Sequence, residues 1–333
     1  MTNYRISYVV TTYNKLPYLR QVMERLVAAR QPDEEIVVAD GGSKDGTPAY
    51  LQKFFEAGQI QQYVSERDKG EAHGFNKGML MARGELIKII TDDDAFCYEA
   101  IREAAAFMLA HPTVDVLAAN SGRVFLEKLD TVEIYNYNIN NYLAYYHKGV
   151  VTHLIGLPLI IRRAALALTG LFNTAVVLVD SEFTSRITAL KVSIAWSSAL
   201  LSIRLDNPQS NFRNLEQHLR QDEDDRIRYF YDKAFLNDPV SILRQRIPFG
   251  EWLKKPVRPA KKAVFRLLKL PQWEAEAVSS IPTNYFPNQL EDPIAAAFRI
   301  ADACMANYNE QHPTTFLVKS QTAEIAKVMP VAK

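Results

Sequence analysis

With 333 residues the chain is long enough for one large domain with an appendage, and its 48% apolar and 23% charged residues exclude disorder over most of that length. Lys and Arg number 39 against 38 Asp and Glu, a net charge of +1 that provides no global field for nucleic acid. No apolar run approaches the roughly 18 to 20 residues of a bilayer span, and two cysteines, Cys97 and Cys304, make neither a disulfide framework nor a zinc set. The opening MTNYRISYVV enters a strand-like run with no leader pattern, so the chain is expected to be cytoplasmic, with any membrane contact peripheral.

In chain order, Ile6–Val10 predicts a short buried strand and Leu16–Ala29 an amphipathic helix. A second strand over Ile36–Ala39 precedes a short helix over Pro48–Phe55. A third strand over Ile60–Val64 precedes a helix over Ala72–Ala82, and a fourth over Leu86–Ile90 precedes one over Tyr98–Ala110. This alternation implies βαβ units, hence an α/β fold with a mostly parallel central sheet and helices on both faces. Such sheets bind ligands outside the carboxyl ends of their strands, which says where to look for chemistry.

Three strand ends carry polar clusters: Thr11-Thr12-Tyr13-Asn14, Asp40-Gly41-Gly42-Ser43-Lys44-Asp45-Gly46-Thr47 and Thr91-Asp92-Asp93-Asp94. Asn14 reads equally as a turn residue, and Asp45 to Pro48 as a turn opening the next helix. Asp40 stands apart, because it ends a strand immediately before two glycines that permit close backbone approach. Three adjacent carboxylates repel one another, and Mg²⁺ or Mn²⁺ removes that conflict while sharing a substrate phosphate. Asp94 is the weakest member of this set, since it also suits a cap on the following helix. The charged loop Ser65–Gly70 reads by itself as a solvated connection.

Together these segments resemble the inverting nucleotide-sugar glycosyltransferases of family 2, with the GT-A fold. The ordered set is Val9–Asn14, Glu35–Thr47, Asp68-Lys69-Gly70, Asn76-Lys77-Gly78, Ala82–Glu85 and Thr91–Asp94, dense over residues 5–100 and patchier to about 235. The resemblance implies a catalytic domain over 1–235, followed by a mainly helical extension over 236–333. It implies that Thr11, Thr12, Asn14, Asp40, Asp68, Lys69 and Asp92 hold the donor, a nucleoside diphosphate sugar of uridine type, and that Asp93 ligates the divalent metal. Thr91 stands where the family often has an Asp. Val179-Asp180-Ser181-Glu182 resembles the stretch that supplies the general base, which makes Asp180 the candidate and Glu182 the reserve, although Val179 replaces the usual Glu. Asp206, where relatives often carry a His, becomes a further metal-ligand candidate.

The resemblance implies an acceptor that is a glycan or lipid-linked glycan and a role in cell-surface polysaccharide biosynthesis. The Tyr- and Asn-rich stretch over 135–146 suits either an acceptor surface or a β-hairpin with a partly buried aromatic face. His153 stands alone among apolar residues, packed or on the acceptor side. Gln217-x-x-Arg220 resembles the motif of processive synthases but lacks its Trp, and reads as coincidental. Residues 254–269 hold seven basic residues and no acid, which suits either the surface of an anionic membrane or a solvated helix. A helical pattern over Pro293–Tyr308 closes the chain without a functional account. The competing reading is a catalytically degenerate nucleotide-sugar-binding or scaffold protein on the same fold, supported by Val179 and Asp206. A sugar-phosphate nucleotidyltransferase is disfavoured because Thr11–Lys15 has no glycine.

Overall fold

The computed structural model describes residues 4–207, 216–232, 278–283, 291–319 and 325–328. The basic segment 254–269 lies outside them. The first half follows the βαβ alternation. Strand β1 (Ile6–Thr12), helix α1 (Leu16–Ala29), β2 (Glu34–Asp40), α2 (Thr47–Glu56), β3 (Gln62–Ser65), α3 (Glu71–Met81), β4 (Leu86–Ile90), a two-residue β5 (Ala95–Phe96) and α4 (Tyr98–Ala110) succeed one another. Helix α1 forms because Leu19, Val22, Met23 and Leu26 recur at helical spacing and bury one stripe. Strand β2 begins two residues earlier than the apolar run suggests. Glu35 is wholly buried there, and its carboxylate accepts from Ser7 Oγ at 2.6 Å, from the Arg83 and Gly84 N–H groups and from the Arg83 side chain. A buried charge is tolerated when its acceptors are taken up in this way.

The second half contains β6 (Val116–Phe125), β7 (Lys128–Tyr135), α5 (Tyr137–Lys148), β8 (Ile160–Arg162), α6 (Leu166–Thr169), α7 (Val179–Ala189) and β9 (Ile194–Asp206). After these come α8 (Gln217–Tyr231), β10 (Val278–Pro282), α9 (Pro293–Gln311), β11 (Phe316–Lys319) and β12 (Ile325–Val328). The hairpin expected around Tyr135–Tyr146 is corrected here: β7 ends at Tyr135 and the rest is helix α5. The buried residues Asn138, Tyr142 and Tyr146 fall four apart, which is a helical stripe and not the alternation of a strand. Tyr142 packs on Trp196 with ring centroids 5.7 Å apart, and its hydroxyl donates to backbone carbonyls of Ile194 and Leu317.

The main sheet runs β12-β11-β9-β6-β8-β4-β1-β2-β3. Strands β4, β1, β2 and β3 are parallel, as are β6 and β9, while β8 runs antiparallel between β4 and β6. One face carries α1, α2, α4 and α9, packed on alternate side chains such as Ile6, Tyr8 and Val10. The other carries α3, α5 and α7, packed on Val9, Val37, Ile87 and Ile89. The described C-terminal residues thus share the first core: Ala296, Ala297, Phe298 and Ala301 are fully buried, and Phe316 stacks on Phe107 at 4.1 Å.

Candidate active site at the carboxyl edge of the sheet

The parallel register gathers the polar strand ends. Thr12 lies level with Asp40, and Asp40 with Ser65. Val10 lies level with Ile90, so Thr91 and Asp92 emerge beside Thr11 and Thr12. Asp40 is buried, and its carboxylate accepts from the Ser43 backbone N–H and from the Ser43 and Ser65 hydroxyls. Asn14, in the left-handed region at φ 54°, accepts from Lys44 N–H through its Oδ1 at 2.8 Å, and its own N–H donates to Ser43 Oγ at 2.8 Å. Asp45 accepts from Leu16 N–H at 2.9 Å and so caps α1 across the loop. The ends of β1 and β2 are therefore locked into one rim.

Helix α3 closes the rim from the other face of the sheet. Gly74 and Gly78 allow it to approach β1 closely: a Cβ at Gly74 would meet Thr11 Oγ1 at 2.1 Å, and one at Gly78 would meet Val9 Cγ1 at 2.4 Å. Asp68 sits over Gly41, accepts from Gly70 N–H at 3.0 Å and lies near Gly74, so Thr11, Gly41 and Asp68 form one wall. Lys69 stays exposed at its lip, with its backbone N–H donating to His73 Nδ1 at 3.0 Å.

The three aspartates serve different ends. Asp94 accepts from Thr91 Oγ1 at 2.6 Å and from Leu205 N–H at 2.9 Å; it ties β4 to β9 and does not cap α4. Asp92 faces the Thr12 side chain and the Tyr13 backbone. Asp93 accepts from Asn207 Nδ2 at 3.1 Å and, at the same oxygen, from Lys15 Nζ, which also stands 3.8 Å from Asp92. Burial and then the Asp93 charge push the Asp92 carboxyl up to about 7 and that of Asp94 up to about 8. Glu71 is an exposed residue opening α3, and its carboxyl is pushed up to about 7 by loss of solvent around it, then by Asp93 and Asp92. Burial works against the Lys15 charge, but Asp92 and Asp93 outweigh it and hold the ammonium above the ordinary lysine range.

Asp180 lies in the first turn of α7, and its charge reaches the same Glu71 carboxyl that feels Asp92 and Asp93. Its carboxylate accepts from Ser181 N–H at 2.8 Å and from Gly156 N–H at 3.3 Å, and Gly156 is close enough that a Cβ would sit 2.8 Å from Asp180 Cβ. The neighbouring carbonyl of Leu157 accepts from the fully buried Lys88 Nζ, whose amine burial pushes down to about 7. Burial and then Asp180 raise the Tyr137 hydroxyl to about 12, which sets that phenol beside the carboxylate. Glu182 is spoken for: Arg186 donates to it at 3.0 and 3.1 Å and Tyr231 Oη at 2.6 Å, while Arg186 also donates to the Thr169 and Leu171 carbonyls. Beyond Asp180, an open cavity of about 400 Å³ is lined by His153, Ser181, Gln217, Arg220 and Gln221 among others.

Sequence reasoning missed Lys15 and Asn207. Lys15 sits next to Asn14 in a segment already singled out, but nothing in one sequence says that it crosses to Asp93. Asn207 follows Asp206, whose Oδ1 stands 3.3 Å from the Arg204 guanidinium, while Asn207 makes the contact with Asp93. Gln217 and Arg220, set aside as coincidental, line the cavity beside the first turn of α7. Among the described residues no group of three or more His, Cys, Asp or Glu is arranged as a metal cage. The donor set nonetheless fits a hard cation shared with a phosphate. Asp92 and Asp93 bring two carboxylates together, and among the described residues Lys15 is the cation paired with them.

The glycosyl transferase family 2 model matches residues 7–167. The putative glycosyltransferase EpsH of Bacillus subtilis (strain 168) is 28% identical over 103 residues, which covers 30% of each chain. The succinoglycan biosynthesis protein ExoO of Rhizobium meliloti (strain 1021) is 27% identical over 130 residues, 37% of each. The alignments thus span about a third of those relatives. Among solved structures, the mannosyltransferase PcManGT from Pyrobaculum calidifontis, in complex with GDP-Man and Mn²⁺, superposes with a TM-score of 0.52. At 20% identity it covers 83% of this chain and 78% of its own, a likeness of fold.

Proposed function

From a chain that belongs, over residues 7–167, to glycosyl transferase family 2, we propose an inverting transfer of a sugar from a nucleoside diphosphate donor, of uridine type, to a glycan or lipid-linked acceptor in polysaccharide biosynthesis. What supports this reading is that Glu71, opening α3, feels the charges of Asp92, Asp93 and Asp180 together, while an open cavity adjoins the first turn of α7 that carries Asp180. Thr11, Thr12, Asn14, Asp40, Asp68 and Lys69 line or brace the rim on which the nucleotide would lie. Asp92 and Asp93, with Asp206 nearby on β9, would hold Mg²⁺ or Mn²⁺, which when bound supplies counter-charge to a diphosphate leaving group. Asn207 orients the Asp93 carboxylate. Asp180, held by two backbone N–H groups, takes the proton of the acceptor hydroxyl as that oxygen attacks the anomeric carbon from the face opposite the diphosphate. The acceptor enters through the cavity lined by His153 and Gln217.

The test pairs binding with turnover. Calorimetry with UDP-sugars and Mn²⁺ should show uptake by both the wild type and Asp180→Asn, while the variant loses about 10²-fold or more of the transfer rate. Transfer by Asp180→Asn at the wild-type rate refutes the base assignment. Uptake without donor turnover in the wild type, with or without Mn²⁺, selects the degenerate binding protein. None of the helices among the described residues is long and apolar enough to cross a membrane. The basic residues of 254–269 support peripheral contact with an anionic bilayer, where a lipid-linked acceptor would reside. Salt-sensitive sedimentation with vesicles of anionic lipid checks it.

A further inference from the structure

Lys15 is the residue at this site that neither the strand-end pattern nor the transfer chemistry calls for. It follows Asn14 at the start of α1, and its backbone carbonyl accepts from the Tyr18 and Leu19 N–H groups, so its backbone is fixed by the helix it opens. Its side chain crosses from β1 to the loop after β4 and places the ammonium on Asp93, 3.8 Å from Asp92. The side chains of the two aspartates are 13% and 10% exposed and that of Lys15 is 25% exposed, so the pair lies at the floor of the crevice and not on the outer surface. Asn207 donates to the same Asp93 oxygen. In this state an ammonium takes the charge that a divalent cation would otherwise satisfy, and it is tethered to the chain by a flexible four-carbon stem.

Resting on the metal-dependent reading of this crevice, we propose that Lys15 is a resident counter-cation that competes with the divalent metal for Asp93 and is relieved by the donor's diphosphate. Without nucleotide, a metal ion reaching Asp93 must displace the ammonium, and Lys15 is then left beside a dication with no anionic partner of its own. With a nucleoside diphosphate in the crevice, the displaced ammonium finds phosphate oxygens, and metal and nucleotide assist one another's binding. Reciprocity then requires that the nucleotide bind more tightly with metal present by the same factor that metal gains from nucleotide. The device makes the aspartate pair a poor trap for free cations and loads metal together with donor.

The experiment is Mn²⁺ binding, read by electron paramagnetic resonance of free Mn²⁺ or by calorimetry, with and without UDP, on the wild type, Lys15→Met and Lys15→Arg. Lys15→Met should bind Mn²⁺ about five- to tenfold more tightly than the wild type in the absence of UDP, and the mutual enhancement of Mn²⁺ and UDP should shrink by a similar factor. Lys15→Arg, which keeps the charge, should retain most of that mutual enhancement. Circular dichroism establishes that each variant is folded. If Lys15→Met binds Mn²⁺ no more tightly than the wild type without UDP, while both still take up Mn²⁺ with UDP, the role of Lys15 is refuted and the metal reading survives. If neither protein takes up Mn²⁺ even with UDP, the metal reading itself fails and takes this role with it.

Discussion

Asp92 and Asp94 hold carboxyl groups whose burial, and then the neighbouring Asp93 charge, favour the protonated form. Such groups bind protons in the folded chain over a range where the unfolded chain has released them. Here that range runs from the ordinary carboxylate value near 3.8 to about 8, so their contribution to stability is present at acid pH and is lost as pH rises through 7 to 8. Asp94 isolates the effect, because Asn can still accept from Leu205 N–H while its amide faces the Thr91 hydroxyl. Asp94→Asn is expected to raise Tm by about 2 °C or more at about pH 8.5 and to lose that gain at about pH 5. Thermal denaturation at the two pH values checks this, and an equal gain at both would assign the effect to packing. Lys88 titrates in the opposite sense. Its amine is depressed to about 7, so neutral Lys88 favours the folded chain increasingly as pH rises from about 7 toward 10.5. Of the site residues, Asp40, Asp92 and Asp93 are recognisable in the sequence because carboxylates at strand ends are costly without a ligand. Lys15 is not recognisable there, because a lysine before a helix is ordinary until its distant partner is known.

At the scale of elements, α3 decides how the rim closes. Two glycines four residues apart put its backbone against Thr11 and Val9, and the opposite face carries Asn76, whose amide exchanges hydrogen bonds with the Phe172 backbone at 2.8 and 2.9 Å. Gly78→Ala forces a Cβ toward Val9 and should cost about 1–3 kcal/mol in urea denaturation, whereas Leu80→Ala, at an exposed position, should stay within about 0.5 kcal/mol. Gly74→Ala carries a comparable penalty and should in addition weaken UDP binding, since its clash is with Thr11 at the rim. Unchanged UDP affinity in a folded Gly74→Ala protein would show that this wall does not touch the nucleotide. Helix α5 shows how far local patterning carries. Aromatic residues favour strands by composition, but the spacing of four from Asn138 through Tyr142 to Tyr146 puts one stripe of a helix into the core.

For the molecule as a whole, the described C-terminal residues extend the helical layer of α1 over β9. Arg25 on α1 donates to Asp302 on α9 at 2.7 Å and lies 5.0 Å over the Phe298 ring, while β11 pairs with β9. Phe298→Ala should cost about 3–5 kcal/mol in urea denaturation, the usual range for an aromatic removed from a filled core. Deletion of residues 291–333 removes Phe298, Ala301, Met305 and Phe316 from the first core, uncovers partners such as Phe107, and should yield a chain that aggregates or lacks near-ultraviolet circular dichroism. A soluble, cooperatively unfolding truncation would show that the sheet closes without this layer. Local patterning by itself determined the first four strands and their helices, because alternation and the 3.6-residue period act within about fifteen residues. It also determined that the aspartates share one edge, because parallel strands end together. Only the tertiary structure decided that Lys15 and Asn207 meet at Asp93, that Tyr231 reaches Glu182, and that α9 lies beside α1. Each of these joins residues far apart in the chain, and such contacts are set by the register of the sheet and by the layer against which each helix packs.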